Sequence, residues 1–450
     1  MRFSAGCYQI EDTIATHLPA LTEAQLGGLT MWVYGTILAG SACQNAVITA
    51  LCTMERELNT MRHYLRQWLY DGTDKAVPCA AQVPVRVCFA PLLRWILSWW
   101  DGKELALAVD ATAHGPHVTA LVVSVLYRGT ALPIAWVILD GTAKGAWMPE
   151  FLRLLRMLAP AVPADMTVLV LADRGLWSPR LWKRIKDLHW HPLLRLTGAV
   201  TFTPDGLPRQ RAKDLVAGPG HAWVGRGVAF TGRRQRSSTL IVVWVTGHAY
   251  PWLLLTDLAP SQVGVAWYGV RMWIELGFKA LKSMGWHWNQ TRRTDPDRVA
   301  RHWLILAVAT IYTLATGTRI EDAGLLDLPP AVLHHPPTQP RWRPPGQTRL
   351  ISLIALGRQE LRQQLGRGRL WLCIWLRPEP WPDPPPALQI HLHDPTSCSN
   401  TCPYQEGEGE CLISTPALHQ IGCPEGDGGR AGSPLSSCAR SRDRMRHAKA

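Results

Sequence analysis

The 450-residue chain is poor in charge, in lysine and in phenylalanine. Asp, Glu, Lys and Arg together make up 18% of it, lysine supplies 9 of the 47 basic residues, and there are 6 Phe against 22 Trp. Low charge combined with 47% hydrophobic residues excludes a chain disordered throughout, because enough apolar surface is present to build a core. Tightly spaced cysteine pairs are scarce. The 11 Cys are scattered, which excludes a compact disulfide scaffold and fits free thiols in a reducing cytoplasm. No apolar run follows Met1-Arg2, so no secretory signal is expected. Long unbroken apolar runs are missing too. Ser41, Gln44, Asn45 and Thr49 interrupt residues 27–51, which read as a buried helix or helical pair. Residues 305–316 are too few to cross a bilayer, so no membrane partner is expected.

Positive charge is what the chain has in excess. The net charge is +13, and it is localised: residues 101–350 hold 29 basic and 17 acidic side chains, while residues 1–100 hold seven of each. A charge carried only for solubility would be spread evenly, so the middle of the chain is expected to meet a polyanion, most simply nucleic acid. Abundant Arg, Trp, Ala, Gly and Pro also reflect GC-rich coding, so position decides which arginines and tryptophans matter.

The length predicts two or three units. Residues 1–100 read as helices; Leu58, Met61, Leu65, Trp68 and Leu69 follow a 3.6-residue rhythm over 55–70, and residues 92–100 form another helical stretch. From residue 101 the texture becomes strand-like. Residues 105–112 are a strand ending on Asp110, and 117–129 with 130–139 form a hairpin around Gly129. A helix over 147–158, a strand over 166–173 ending on Asp173, a helix from Ser178 with Pro179 at its first position, and a strand over 191–197 follow. Residues 198–256 are a β-rich insertion. A long helix is expected from Pro260 to Met284, more helix over 298–316, and a last one over 351–375. The expected units are a helical 1–100, an α/β 101–320, a Pro/Arg-rich linker with a helix over 321–377, and a disordered tail over 378–450.

Asp110 and Asp173 end strands, where an α/β sheet projects functional side chains. Each alone also reads as a turn residue. Two carboxylates at one crevice raise each other's pKa and call for a divalent ion, and oxygen ligands favour Mg²⁺ or Mn²⁺. The stretch 268–282 adds a third acid. At about 100° per residue, Tyr268, Arg271, Glu275 and Lys282 share one arc about 60° wide, in a stripe roughly 21 Å long with Glu275 in its middle. Val270, Ile274 and Leu281 fall on another face. Cations and a tyrosine around one glutamate suit a phosphate held beside a metal ligand.

Tyr268-x2-Arg271-x3-Glu275-x6-Lys282, with Asp110 in "LAVDAT" and Asp173 in "LADRGLW", resembles the signature of bacterial insertion-sequence transposases of the DDE type, the YREK group that cuts and pastes through DNA hairpins. The likeness covers residues 102–314. It implies a ribonuclease-H-like mixed sheet flanked by helices, with Asp110, Asp173 and Glu275 holding two Mg²⁺ or Mn²⁺ ions. It implies that Arg271, Lys282 and Tyr268 bind DNA and that Trp252 stacks a flipped base, with Trp244 as the competing candidate and a core aromatic as the plainer reading. It further implies that residues 1–100 bind terminal repeats, that terminal inverted repeats and target DNA are the partners, that the chain dimerises in a synaptic complex, and that it works in the cytoplasm on the nucleoid.

Arg233, Arg234 and Arg236 form a further phosphate candidate within the insertion. Arg56, Arg62 and Arg66 read as an ordinary solvated face, and Arg292-Arg293 as a second DNA contact. His391, His393, Cys398, Cys402, Cys411, Cys423 and Cys438 lack repeated tight pairs, which disfavours zinc. Two other readings stay open: a ribonuclease-H-like nuclease without strand transfer, and an inactive DNA-binding remnant of a decayed element.

Overall fold

The computed structural model describes residues 4–52, 55–71, 74, 82–142, 147–338, 349–368 and 374–380. The tail from residue 381, with the histidines and cysteines named above, lies outside the described residues.

The architecture is mixed α/β around one large sheet. Its first half comprises β1 (Glu104–His114), β2 (Val118–Tyr127), β3 (Thr130–Asp140), β4 (Thr167–Ala172) and β5 (His191–Arg195), in the order β3-β2-β1-β4-β5. β2 runs antiparallel to both β1 and β3, while β1, β4 and β5 are mutually parallel. This is the ribonuclease-H-like arrangement. The β2–β3 hairpin turns on Arg128 (φ 40°) and Gly129 (φ 84°), two residues of positive φ as a two-residue I′ turn requires. Burial explains the parallel strands: Leu105, Leu107, Val109, Val168, Val170, Leu193 and Leu194 are all sealed, because crossover helices cover the sheet. Those crossovers are α1 (Trp147–Leu158), between β3 and β4, and α2 (Pro179–Asp187), between β4 and β5. The Ser178 hydroxyl caps α2 by accepting from the Leu181 N–H at 3.1 Å, with Pro179 behind it.

The β-rich insertion extends the same sheet. β10 (Trp252–Thr256) pairs with β5, and β9 (Arg236–Val243), β8 (Ala222–Ala229), β6 (Thr201–Pro204) and β7 (Gln210–Arg211) follow outward, giving ten strands among the described residues. Antiparallel pairing of β10 with β5 returns the chain to the edge it left, so residue 252 sits beside the core strands.

The N-terminal helices Ala5–His17, Glu23–Ala39, Gln44–Leu51, Glu55–Leu69 and Phe89–Ser98 share the hydrophobic core of the sheet. The stretch over 27–51 is a helical pair, bent by 90°. Trp32 and Trp68 lock it to the Glu55–Leu69 helix through indole N–H bonds to the Leu65 and Gln25 carbonyls, at 3.0 and 2.8 Å. The central helix, Pro296–Leu325, is longer than the expected 298–316 and is the one described helix long and apolar enough to cross a membrane. It is the core helix of the fold, with 94% of its most apolar window buried. Asp295 caps it, accepting from the Arg298 N–H at 2.8 Å.

Two helical expectations need correction. The helix expected over 260–284 is broken into a 3₁₀ turn (Pro260–Gln262), an α segment (Val265–Gly269), a second 3₁₀ turn (Val270–Met272), an α segment (Trp273–Lys279) and a π turn (Ala280–Met284). Gly264 caps the first α segment and Gly269 ends it, where glycine weakens helix continuity. Gly277 lets the chain approach β3 so closely that an added Cβ would lie 2.8 Å from the Ala131 carbonyl oxygen. Short 3₁₀ and π segments are a common way to aim functional side chains. The last helix is Leu353–Gly366, not 351–375. It ends before Gly368 (φ 67°), and Leu376 then bridges to Trp100.

Leu353–Gly366 crosses Pro296–Leu325 at Gly357 and Gly317. A Cβ at Gly357 would stand 1.8 Å from the Thr313 carbonyl oxygen, and one at Gly317 2.3 Å from that of Leu353. Gly357→Ala is expected to separate the helices and destabilise the protein by about 1–3 kcal/mol or more. Gly366→Ala, with nothing within 4 Å, is expected to be near neutral. Thermal denaturation of the two variants side by side checks this.

Candidate active site

The parallel ladders place the first charges. β1 pairs with β4 up to Val109↔Ala172, and β4 with β5 up to Ala172↔Leu194. The next residue on each strand is charged: Asp110, Asp173 and Arg195, side by side across three neighbouring strands. β1 itself does not end at Asp110. Pairing with β2 carries it on to His114, so Asp110 lies within the strand but at the end of its parallel ladder.

The broken helix supplies the rest. Arg271 reaches Asp110 Oδ2 through Nη2 at 2.8 Å and Glu275 Oε1 through Nη1 at 2.8 Å, and its Nη2 lies 4.0 Å from Asp173 Oδ2. The three acids separated in sequence therefore converge on one guanidinium. Tyr268 donates its hydroxyl to Asp173 Oδ1 at 3.4 Å, and Arg195 Nη1 stands 3.6 Å from the same oxygen. Lys282 donates to the Ala113 carbonyl at 2.7 Å, three residues beyond Asp110 on β1. The four-residue stripe read from the sequence thus faces the strand ends, despite the breaks in its helix.

The electrostatics follow from burial. Burial pushes the Asp110 carboxyl above the usual carboxylate range; Arg271 and the Ala111 N–H oppose this, while Asp173 and Glu275 add to it. Burial alone would lower Arg271, but Asp110, Tyr268, Asp173 and Glu275 outweigh it and hold the guanidinium firmly charged. Burial, reinforced by Asp173, also raises the Tyr268 phenol, which therefore remains a proton donor. Burial lowers the Lys282 ammonium. The Arg271 Nε is buried with no hydrogen-bond partner among the described residues.

Three carboxylates gathered around one positive charge fit a divalent metal in donor type, because hard oxygen ligands suit Mg²⁺ or Mn²⁺. As they stand, no group of three or more His, Cys, Asp or Glu among the described residues is spaced to hold a metal ion, since the acids are spread around Arg271. Asp110 is the most enclosed of the three, with 19% of its side chain exposed, against 35% for Asp173 and 45% for Glu275.

A family model for the transposase DDE domain matches residues 101–313. Residues 101–313 are a transposase DDE domain. No curated protein matches the chain. Among solved structures, it is similar to the cryo-EM structure of a piggyBac transposase synaptic complex with hairpin DNA, at 12% identity and a TM-score of 0.36, over 66% of this chain and 71% of that one. The chain thus carries, over those residues, the DDE domain of a transposase, an enzyme of DNA transposition.

The remaining residues singled out from the sequence sit at different distances from the acids of the DDE domain. Trp252 starts β10 half-buried, edge-on to Tyr268 with ring centroids 5.6 Å apart, and the Arg195 guanidinium lies 5.5 Å from its ring. Trp244 instead donates its indole N–H to the His248 carbonyl at 2.7 Å, and no described contact ties it to the acids. Arg233 and Arg234 are exposed in a 3₁₀ turn (Gly232–Arg234), with half-exposed Arg236 beginning β9; none of them touches the acids directly. Arg62 and Arg66 are exposed on the outer face of Glu55–Leu69, where Arg62 bonds Asn59 and Arg66 bonds Tyr70; the side chain of Arg56 lies outside the described residues. Arg195 was not singled out from the sequence. Its signal was there: an arginine interrupting the apolar run "HPLLRLT" at the register step matching Asp173.

Removing Arg271 leaves three like charges facing one another. Arg271→Ala is expected to destabilise the metal-free protein by up to about 3 kcal/mol, the low end for a buried charge stripped of its partner, because Asp173 and Glu275 keep contact with water. Added Mn²⁺ is expected to raise the melting temperature of this variant more than that of the wild type. Equal shifts would show that Arg271 does not occupy the position of the compensating cation.

Proposed function

We propose that this DDE transposase belongs to the YREK group and catalyses cut-and-paste transposition through strand cleavage, hairpin formation and strand transfer at insertion-sequence ends. The observation that carries the reading is the convergence of Asp110, Asp173 and Glu275 on Arg271, from two parallel strands and the broken helix. Asp110, Asp173 and Glu275 would hold two Mg²⁺ or Mn²⁺ ions. When bound, such ions supply an activated oxygen nucleophile and stabilise the leaving oxygen of an in-line phosphoryl transfer.

The chain's own residues do the rest. Once released from the carboxylates, Arg271 presents a planar fork to phosphate oxygens, a geometry that favours bidentate contact. Lys282 stands further along the same face and holds the neighbouring phosphate, while Tyr268 donates its phenolic proton to a phosphate oxygen. In the first step, the oxygen of water attacks phosphorus and frees a 3′-hydroxyl. That hydroxyl attacks the opposite strand, closing a hairpin and releasing the flanking DNA. Water reopens the hairpin, and the 3′-hydroxyl joins target DNA. A hairpin strains its terminal bases, and Trp252, beside Tyr268 and Arg195, stacks one flipped base, an interaction of about 1–3 kcal/mol. Residues 1–100 read the terminal repeats, Arg233, Arg234 and Arg236 hold flanking phosphates, and two copies of the chain pair the ends. The reaction takes place in the cytoplasm, on the nucleoid.

Cleavage of DNA carrying the element's terminal inverted repeats, with Mg²⁺, tests this. Asp173→Asn and Glu275→Ala are expected to slow the first nick at least about 100-fold, several kcal/mol of lost transition-state stabilisation. Trp252→Ala is expected to nick normally but to accumulate little hairpin. Wild-type rates in the acid variants would remove the catalytic assignment, and a wild type that nicks without joining target DNA would reduce the protein to a nuclease.

A further inference from the structure

A second aromatic pair begins four residues along the chain from Asp173. The chain leaves β4 at Asp173 in a tight turn, with the Leu176 N–H bonded to the Asp173 carbonyl at 2.9 Å, and Trp177 follows just before the Ser178 cap of α2. Trp177 stacks on Phe230, 53 residues away at the tip between β8 and β9. Their ring centroids are 5.5 Å apart and their planes within 4° of parallel. Phe230 adopts φ 68°, a left-handed conformation that a bulky side chain rarely takes. The backbone is thus held in a strained state that carries this ring over the loop following Asp173, and strain of that kind concentrates at functional sites.

Positive charge flanks both rings in the sequence. Arg174 and Arg180 flank Trp177, Arg233 and Arg234 follow Phe230, and all four are exposed. No carboxylate among the described residues pairs with any of them. Both rings are half-buried, so part of each faces solvent. Flat apolar rings set among unpaired arginines are what a nucleic-acid strand with unstacked bases requires, because the rings take base faces and the guanidinium groups take phosphates. A stack that merely seated the insertion on the core would need neither the arginines nor the strained Phe230.

The geometry points to Trp177 and Phe230 as a base-stacking platform for an unpaired nucleotide of the DNA strand flanking the scissile phosphate. This is a positioning site separate from Trp252, and it rests on the reading of Asp173 as part of the reacting centre. The platform stacks a base that has left the duplex, while Arg233 and Arg234 hold the phosphates on either side. Stacking is blind to base identity, so the site tracks strand separation and not sequence.

The test uses the full chain in metal-free buffer and a short duplex with a single-stranded overhang carrying 2-aminopurine at each overhang position in turn. Wild type is expected to quench the fluorescence at one or two positions. Trp177→Ala and Phe230→Ala should each lose that quenching and weaken overhang binding about 5- to 150-fold, with blunt-duplex affinity unchanged. Trp177→Phe, which keeps a flat ring, should retain the quenching. Should Trp177→Ala fail to fold, Phe230→Ala and Trp177→Phe decide the question from the two sides of the stack. Wild-type quenching in folded Trp177→Ala and Phe230→Ala would overturn the platform, as would an equal loss for blunt and overhang DNA. With the terminal inverted repeat as the duplex part of the same substrate, adding Mg²⁺ reads the reaction separately: stacking without a nick supports the platform while rejecting the catalytic reading, and a nick without stacking does the reverse.

Discussion

Three carboxylates share one small region at the end of a buried ladder, and their mutual repulsion is the constraint on which the rest of the site depends. Like charges held together in a half-dry environment either take up protons or take a cation. The structure shows a cation: the Arg271 guanidinium, bonded to Asp110 and Glu275 and reaching towards Asp173. Arg271 comes from the helix that also carries Glu275, so one element delivers both the last negative charge and its counter-charge. The helix is interrupted by 3₁₀ turns on either side of Tyr268 and by a π turn at Lys282, and those interruptions aim the side chains at the strand ends.

The sheet provides the rigid side of this arrangement. Parallel strands sealed on both faces have little freedom of register, because a one-residue slip would send every side chain to the opposite face and undo its close packing against the covering helices. The registers Val109↔Ala172 and Ala172↔Leu194 therefore bring Asp110, Asp173 and Arg195 into one row. Arg195 adds a positive charge on the Asp173 side and reaches over Trp252, which links the acids to the start of the last strand. Because the insertion is an extension of the same sheet, two of its segments come back to the core: the start of β10, where Trp252 meets Tyr268, and the β8–β9 tip, where Phe230 rests on Trp177.

A second set of charges anchors the chain far from the acids. Arg128 in the hairpin turn bonds Glu321 and Asp322 at 2.8 and 2.9 Å, Arg349 joins Glu321, and Arg377 binds Asp101 at 2.8 Å. The Arg128 pairs are buried and tie the hairpin to the end of the central helix, while Arg128 also donates to the Arg377 carbonyl and Trp375 to Asp322, which brings in the segment over 374–380. Breaking one partner there leaves an uncompensated charge, which favours a single arrangement of the segments even where the pair adds little net stability.

Much of the fold was legible in the chain. Apolar periodicity located the helices and strands, and Gly129 marked the hairpin. The spacing of Tyr268, Arg271, Glu275 and Lys282 placed them on one face, because side-chain direction along a helix is a local property that survives its interruptions. The continuity of the insertion with the core sheet, the breaks between 260 and 284, and the passage of β1 beyond Asp110 were not legible. Each is decided by pairing with residues far away in sequence. The same reason separates Trp252 from Trp244. Composition supplied 22 Trp, and strand register alone set one of these two beside Tyr268 and Arg195. Local chemistry thus settled which residue types face one another, and long-range pairing settled which copies do, because a strand's neighbours are chosen by the burial of the whole sheet.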